Sequence, residues 1–211
     1  IHHRDETLTG LGDIEIWDRF RVMGAEAEAR TTLDLRLGVA IPTGNIVDDP
    51  YVLGAQGKRH QHIFFGSGTL DPVGGVDFWH RFSGVTLNAY LSGRAALYDN
   101  PREYRAGARG TLGIALQSGF GLSRWTFLGG VELYHERPAH WASGADELEE
   151  EASDQGRTSI IPGIGAVFAP SPNVFLRALV KRPFSTTASD AELEIPFVAN
   201  VGVEVALEAY S

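Results

Sequence analysis

Two histidines spaced two apart, in "KRHQHIFF", place His60 and His62 on one side of an extended segment. Paired imidazoles in that arrangement suit Zn²⁺, Cu²⁺ or Ni²⁺. A metal site there needs a third ligand, and His2, His3, His140, Asp48 and Asp49 are the candidates in neighbouring loops. An ordinary solvated loop accounts for the same residues. "GADELEEEASD" gathers Asp146, Glu147, Glu149, Glu150, Glu151 and Asp154, a set that could hold a hard cation or simply carry a solvated loop. Hydrolytic chemistry needs a nucleophile or paired carboxylates beside a histidine. His135 and Glu136 are adjacent and so point to opposite sides of a strand, while His80 near Ser83 shares the parity of apolar residues. "GFGLS" and "GSGTLDPVGG" lead into strands rather than helices, so neither is a phosphate cradle. The chain therefore reads as non-enzymatic, with no cofactor.

The most regular chemistry is a recurrent row of charges. Asp13, Glu15, Arg19, Arg21, Asp34, Arg36, Asp77, Arg81, Arg94, Arg105, Arg109, Glu132, Arg177 and Glu204 all fall on the polar parity of alternating segments. Rings of charge enclosed in a pore set solute selectivity; the same charges paired with one another would plug a narrow one. Of the 18 basic residues only Lys58 and Lys181 are lysines. Arginine is favoured where a cation is held in fixed, multi-donor geometry, which suits an enclosed charged face.

The elements that carry these charges are strands. In "TTLDLRLGVAIPTG", Leu33, Leu35, Leu37, Val39 and Ile41 alternate with Thr32, Asp34, Arg36, Gly38 and Ala40, the period of a strand with one greasy face. The pattern recurs through "GDIEIWDRFRV", "GVDFWHRF", "VTLNAYLSGRAAL", "RAGARGTLGIALQ", "WTFLGGVELYHE", "SIIPGIGAVF", "NVFLRALVK" and "IPFVANVGVEVALEAY". That predicts nine strands and no helix. Short connections alternate with long ones at 45–62, 98–104, 138–157 and 185–192, as in an up-and-down meander whose turns cluster at one end.

Apolar faces of five to seven positions match the ~25 Å outward band of an outer-membrane barrel. Trp125, Phe127, Phe82, Phe168, Phe197 and Tyr210 lie towards strand ends, where interfacial girdles sit. A soluble barrel with its greasy face inward is the competing architecture. "IIPGIGAVFAP" is the nearest approach to an apolar helix, and Pro162, Gly163 and Gly165 interrupt it. Cysteine is absent and the net charge is −9, which excludes disulfides and thiolate metal sites and argues against nucleic acid as a partner. The expectation is one domain over 1–211, all-β: a transmembrane antiparallel barrel of 10–12 strands. Nine strands are visible, and at least one is expected before Ile1, because bacterial barrels use even numbers.

Three patches, "GLGDIEI" (10–16), "LGVAIPTG" (37–44) and "GSGTLDPVGG" (66–75), resemble outer-membrane proteins grouped with the MetA-pathway phenol-degradation family. The resemblance covers about residues 10 to 100. It implies a barrel in the outer membrane of a Gram-negative cell, concerned with uptake of small, often aromatic compounds, and it supplies no catalytic residues. The expected partners are the lipid bilayer, lipopolysaccharide and a small solute. The alternative role is a plugged barrel that anchors partner proteins.

Overall fold

A computed structural model describes residues 10–26, 28–58, 65–119, 124–142, 156–187 and 195–205. The strands are β1 (Ile14–Met23), β2 (Thr31–Ile41), β3 (Asp71–Arg81), β4 (Val85–Arg94), β5 (Tyr104–Arg105), β6 (Arg109–Gly119), β7 (Trp125–Glu136), β8 (His140–Trp141), β9 (Arg157–Ser171), β10 (Val174–Lys181), β11 (Phe184–Thr187) and β12 (Val198–Val205). One antiparallel sheet runs in the order β1-β2-β3-β4-β6-β7-β9-β10-β12, with β11 joined to β9. It is curled into a half-barrel whose two edges, β1 and β12, stay open.

Alternation determines which face each residue takes. Cross-strand partners share a face, and the register carries one parity without a break from Arg21↔Asp34 through Asp34↔Asp77, Asp77↔Tyr90, Tyr90↔Gly113, Gly113↔Glu132 and Glu132↔Ile161. The charged parity lines the concave face. The greasy parity covers the convex face, where Leu112, Ile114, Leu116, Val131, Ile164 and Val201 are exposed. One acidic residue interrupts the greasy parity of β1: Asp18 pairs with convex Leu37 and accepts the Arg19 N–H at 2.8 Å.

Short connections gather at one end, the turn end. Ser83 and Gly84 make one of the tightest, with the Phe82 N–H donating to the Val85 carbonyl at 2.8 Å. Gly84 sits at φ 91, a conformation other residues adopt only with strain. The long connections gather at the opposite, loop end, and they carry elements that alternation does not reveal. Residues 50–55 of the 45–62 connection form α1 (Pro50–Ala55), which corrects the helix-free expectation. Pro50 occupies its first turn, and the Asp49 carboxylate accepts the Val52 N–H at 3.2 Å, a proline start with an acidic cap. β5 and β8 pair in a separate two-stranded ladder whose Tyr104 and Trp141 rings meet at 4.8 Å.

Because every neighbour on the path is antiparallel, β1 and β12 both run from the loop end to the turn end. No helix among the described residues is long and apolar enough to cross a membrane, which says nothing about strands.

Candidate functional site on the concave face

The concave charges collect in two places. The first is a buried cluster at the loop end. β4 ends in Arg94, whose guanidinium reaches over Ala40 and Val73, both buried, towards the start of β1. It contacts Asp13 Oδ2 at 2.5 Å and Asp71 Oδ2 at 2.7 Å, donates to Ser67 Oγ at 2.9 Å and comes within 3.5 Å of Glu15. The carboxylates of Asp13 and Asp71 are 2% and 0% exposed. Asp13 also accepts the N–H groups of Gly44 (3.0 Å) and Ser67 (2.9 Å), and Thr69 Oγ1 donates to Asp71 at 2.5 Å. Burial pushes the Asp13 carboxyl up, but hydrogen bonds from Ser67, Arg94 and Gly44 outweigh it and leave the pKa below its ordinary value.

Backbone contact makes this convergence possible. Gly44 and Gly66 press together so closely that a Cβ on either would lie 2.6 Å from the backbone of the other. Asn100 then ties the next loop down, donating to the Ser67 carbonyl at 2.9 Å and accepting the Arg102 and Tyr104 N–H groups. "GLGDIEI", "LGVAIPTG" and "GSGTLDPVGG" thus meet in one place. Sequence reading singled out Asp13, Glu15 and Arg94 but missed Ser67, Thr69 and Asp71, whose stretch it read only as leading into a strand.

The second is a belt across mid-height. Arg36 pairs with Asp77 at 2.5 Å and lies 5.1 Å from the Trp17 ring. Asp77 is the cross-strand partner of Tyr90. The Tyr90 hydroxyl donates to Glu132, and Lys181 Nζ reaches the same Glu132 oxygen at 2.5 Å. Glycines clear the way for these long side chains. A Cβ on Gly113 would lie 2.3 Å from the Tyr90 ring, and one on Gly163 would lie 3.0 Å from Lys181 Cγ.

Other expected residues fall around these two groups. Arg21 pairs with Asp34 towards the turn end, Arg109 lies 3.7 Å from Glu15, and Arg177 approaches Glu204 at 3.9 Å in the open. Arg157, which was not singled out, pairs at 3.2 Å with Glu136, weighed above only beside His135. Arg19 and Arg81 share the concave parity and have no carboxylate partner among the described residues. Arg105 does not join the row: the strand breaks before Arg109, and Arg105 sits in β5 beside Asp99 at 3.4 Å. His80 and His135 bond Thr31 and Thr158 on the convex parity, at 2.8 and 2.9 Å.

His2, His3, His60, His62, the 146–154 carboxylates and Tyr210 lie outside the described residues. Among the described residues, no group of three or more histidines, aspartates and glutamates is placed to hold a metal ion. Neither a protein-family model nor a curated protein matches the chain.

Proposed function

We propose that the sheet is the larger part of an outer-membrane β-barrel that passes a small solute along its charged concave face. The observation that carries this reading is the inverted distribution of the two faces. The convex side exposes mainly large apolar side chains, while ion pairs such as Arg94–Asp13 are tucked inside the curl. A water-soluble barrel reverses that order.

Two further features support it. Convex aromatics cluster near the turn end, where Trp125 packs 4.7 Å from Phe168, and they recur at Phe184, opposite Ile160 on the same strand β9. From Ile160 to Phe168 the strand rises ~26 Å at ~3.3 Å per residue, or ~20 Å along the axis at a tilt near ~40°. That is close to the ~25 Å apolar band between barrel girdles. The parallel sense of β1 and β12 also matters, since closing the sheet with antiparallel ladders needs an odd number of further strands. Totals of 10 or 12 satisfy it.

A second reading, a plugged barrel that anchors partner proteins, draws support from the loop-end cluster, which folds residues 66–71 across the mouth. Reconstitution into planar bilayers separates the two. The transport reading expects discrete conductance steps that change in ion selectivity when Arg36 is replaced by Gln. A barrel that inserts but conducts neither before nor after Arg94→Gln loosens the cluster favours the anchor.

A further inference from the structure

The convex face is not evenly greasy: between β7 and β12 it is dented. Gly129 leaves open space where a side chain would stand, with nothing within 4 Å of a Cβ built there. Around it, Pro162, Ile164, Val180 and Phe197 line a concavity of about 530 Å³. Ile164 and Phe197 are 73% and 62% exposed, so the dent is apolar and uncovered. At its edge stands Arg182, which lines the same concavity. It continues the convex parity of Val180 beyond β10, and its N–H donates to the Pro162 carbonyl at 3.0 Å. Its guanidinium lies 5.0 Å from the Phe184 ring, and among the described residues no carboxylate pairs with it. This differs from the concave face, where most cations have an acidic partner.

We infer that the dent is a binding site for a phosphorylated, multiply acylated lipid of the outer leaflet. One acyl chain lies in the groove over Gly129 and Ile164, and a headgroup phosphate meets Arg182. This rests on the membrane-barrel reading above. Arg182 sits beside loop-end Phe184, at the level where a barrel leaves the hydrocarbon for the headgroups, and a long basic side chain there reaches towards phosphate. The chemistry is complementary on both counts: an apolar trough takes the chain, and a cation without an acidic partner takes the anion. A zwitterionic lipid would fill the trough, but its phosphate carries its own cation, so the site prefers an anionic headgroup.

The test uses lipid A as the probe and phosphatidylcholine as its control. The full-length protein is first folded into phosphatidylcholine vesicles, and insertion is scored by protease protection and heat-modifiable migration. It is then extracted into detergent with lipid A, and retained lipid is measured by native mass spectrometry and by the shift in thermal midpoint. Wild type should retain lipid A with a raised midpoint. Gly129→Leu, which fills the trough, and Arg182→Gln, which removes the cation, should each weaken retention about tenfold. Gly202→Leu places the same side chain where a Cβ also meets nothing within 4 Å, on another strand, and should retain lipid A as wild type does. Equal retention by wild type, Gly129→Leu and Arg182→Gln in inserted protein would overturn the site and leave the barrel reading standing. Failure of wild type to insert would overturn both.

Discussion

The loop-end cluster and the mid-height belt have the same plan. One central group, Arg94 in the first and Glu132 in the second, is shared by partners from more than one segment: Asp13, Asp71, Ser67 and Glu15 for Arg94, Tyr90 and Lys181 for Glu132. They differ in what makes room for them. The cluster is roofed by loops, so its carboxylates lose nearly all contact with water. Among the described residues no loop segment bonds to the belt, which keeps partial access to water, and its long side chains find room because Gly113 and Gly163 have no side chains of their own. A fully buried ion cluster demands that every charge be matched, whereas one that keeps some contact with water tolerates a missing partner better. The two regions should therefore respond differently to the same kind of damage.

The largest difference is expected from removing each cation. Arg94→Met strands Asp13 and Asp71 in a dry site and should cost ~3–5 kcal/mol, read as a loss of unfolding free energy in urea. Lys181→Met leaves Glu132 with the Tyr90 hydroxyl and partial access to water, so ~1–3 kcal/mol is expected. Equal costs would erase the distinction between roofed and open. Gly113→Ala tests the belt's own device: the new methyl must displace the Tyr90 ring from Glu132, costing ~1–3 kcal/mol by overpacking. Gly202→Ala, where a Cβ meets nothing, should stay within ~0.5 kcal/mol of wild type.

The smallest effect separates the regions by pH. Asp13 has a folded pKa below the 3.8 it takes when unfolded. Its contribution to stability is therefore fully present above that value and is lost as pH falls through the folded one. Acid titration should loosen the 66–71 segment, seen as faster amide exchange at Ser67, only below pH 3.8. Exchange at Ser67 that accelerates near neutral pH would contradict the assignment.

Alternation made the strands legible. The apolar parity of "LDLRLGVAI" alone places Asp34 and Arg36 on the concave face, where the register confirms them. What it could not supply is which charges meet. Asp71 opens β3 inside a Gly- and Pro-rich stretch, and its partner Arg94 lies a full hairpin away. The register sets Asp71 and Arg94 side by side, and the backbone approach of Gly44 to Gly66 seats the Ser67 segment against Asp13. Glycine is silent in a parity count, yet Gly75, Gly113, Gly130 and Gly163 all fall on the concave parity of β3, β6, β7 and β9. That coincidence was the available signal for side chains lying across the sheet. α1 escaped because six residues show no period, although the Asp49–Pro50 start was visible. Arg105 was misplaced because its parity matched Arg109 while the strand itself had ended.

The open edges bear on how such a chain reaches its final form. Each pairing along the sheet joins strands that follow one another in the chain or are separated by one small element. Assembly can therefore zip forward hairpin by hairpin, without waiting for distant segments to find each other, the circumstance that makes folding fast. β1 and β12 are the exception, since each presents a row of backbone groups that no described strand takes up. Until those rows are covered they template pairing with any other chain nearby. Refolding yield should therefore fall steeply with protein concentration, and the material lost should be joined edge to edge through β1 or β12.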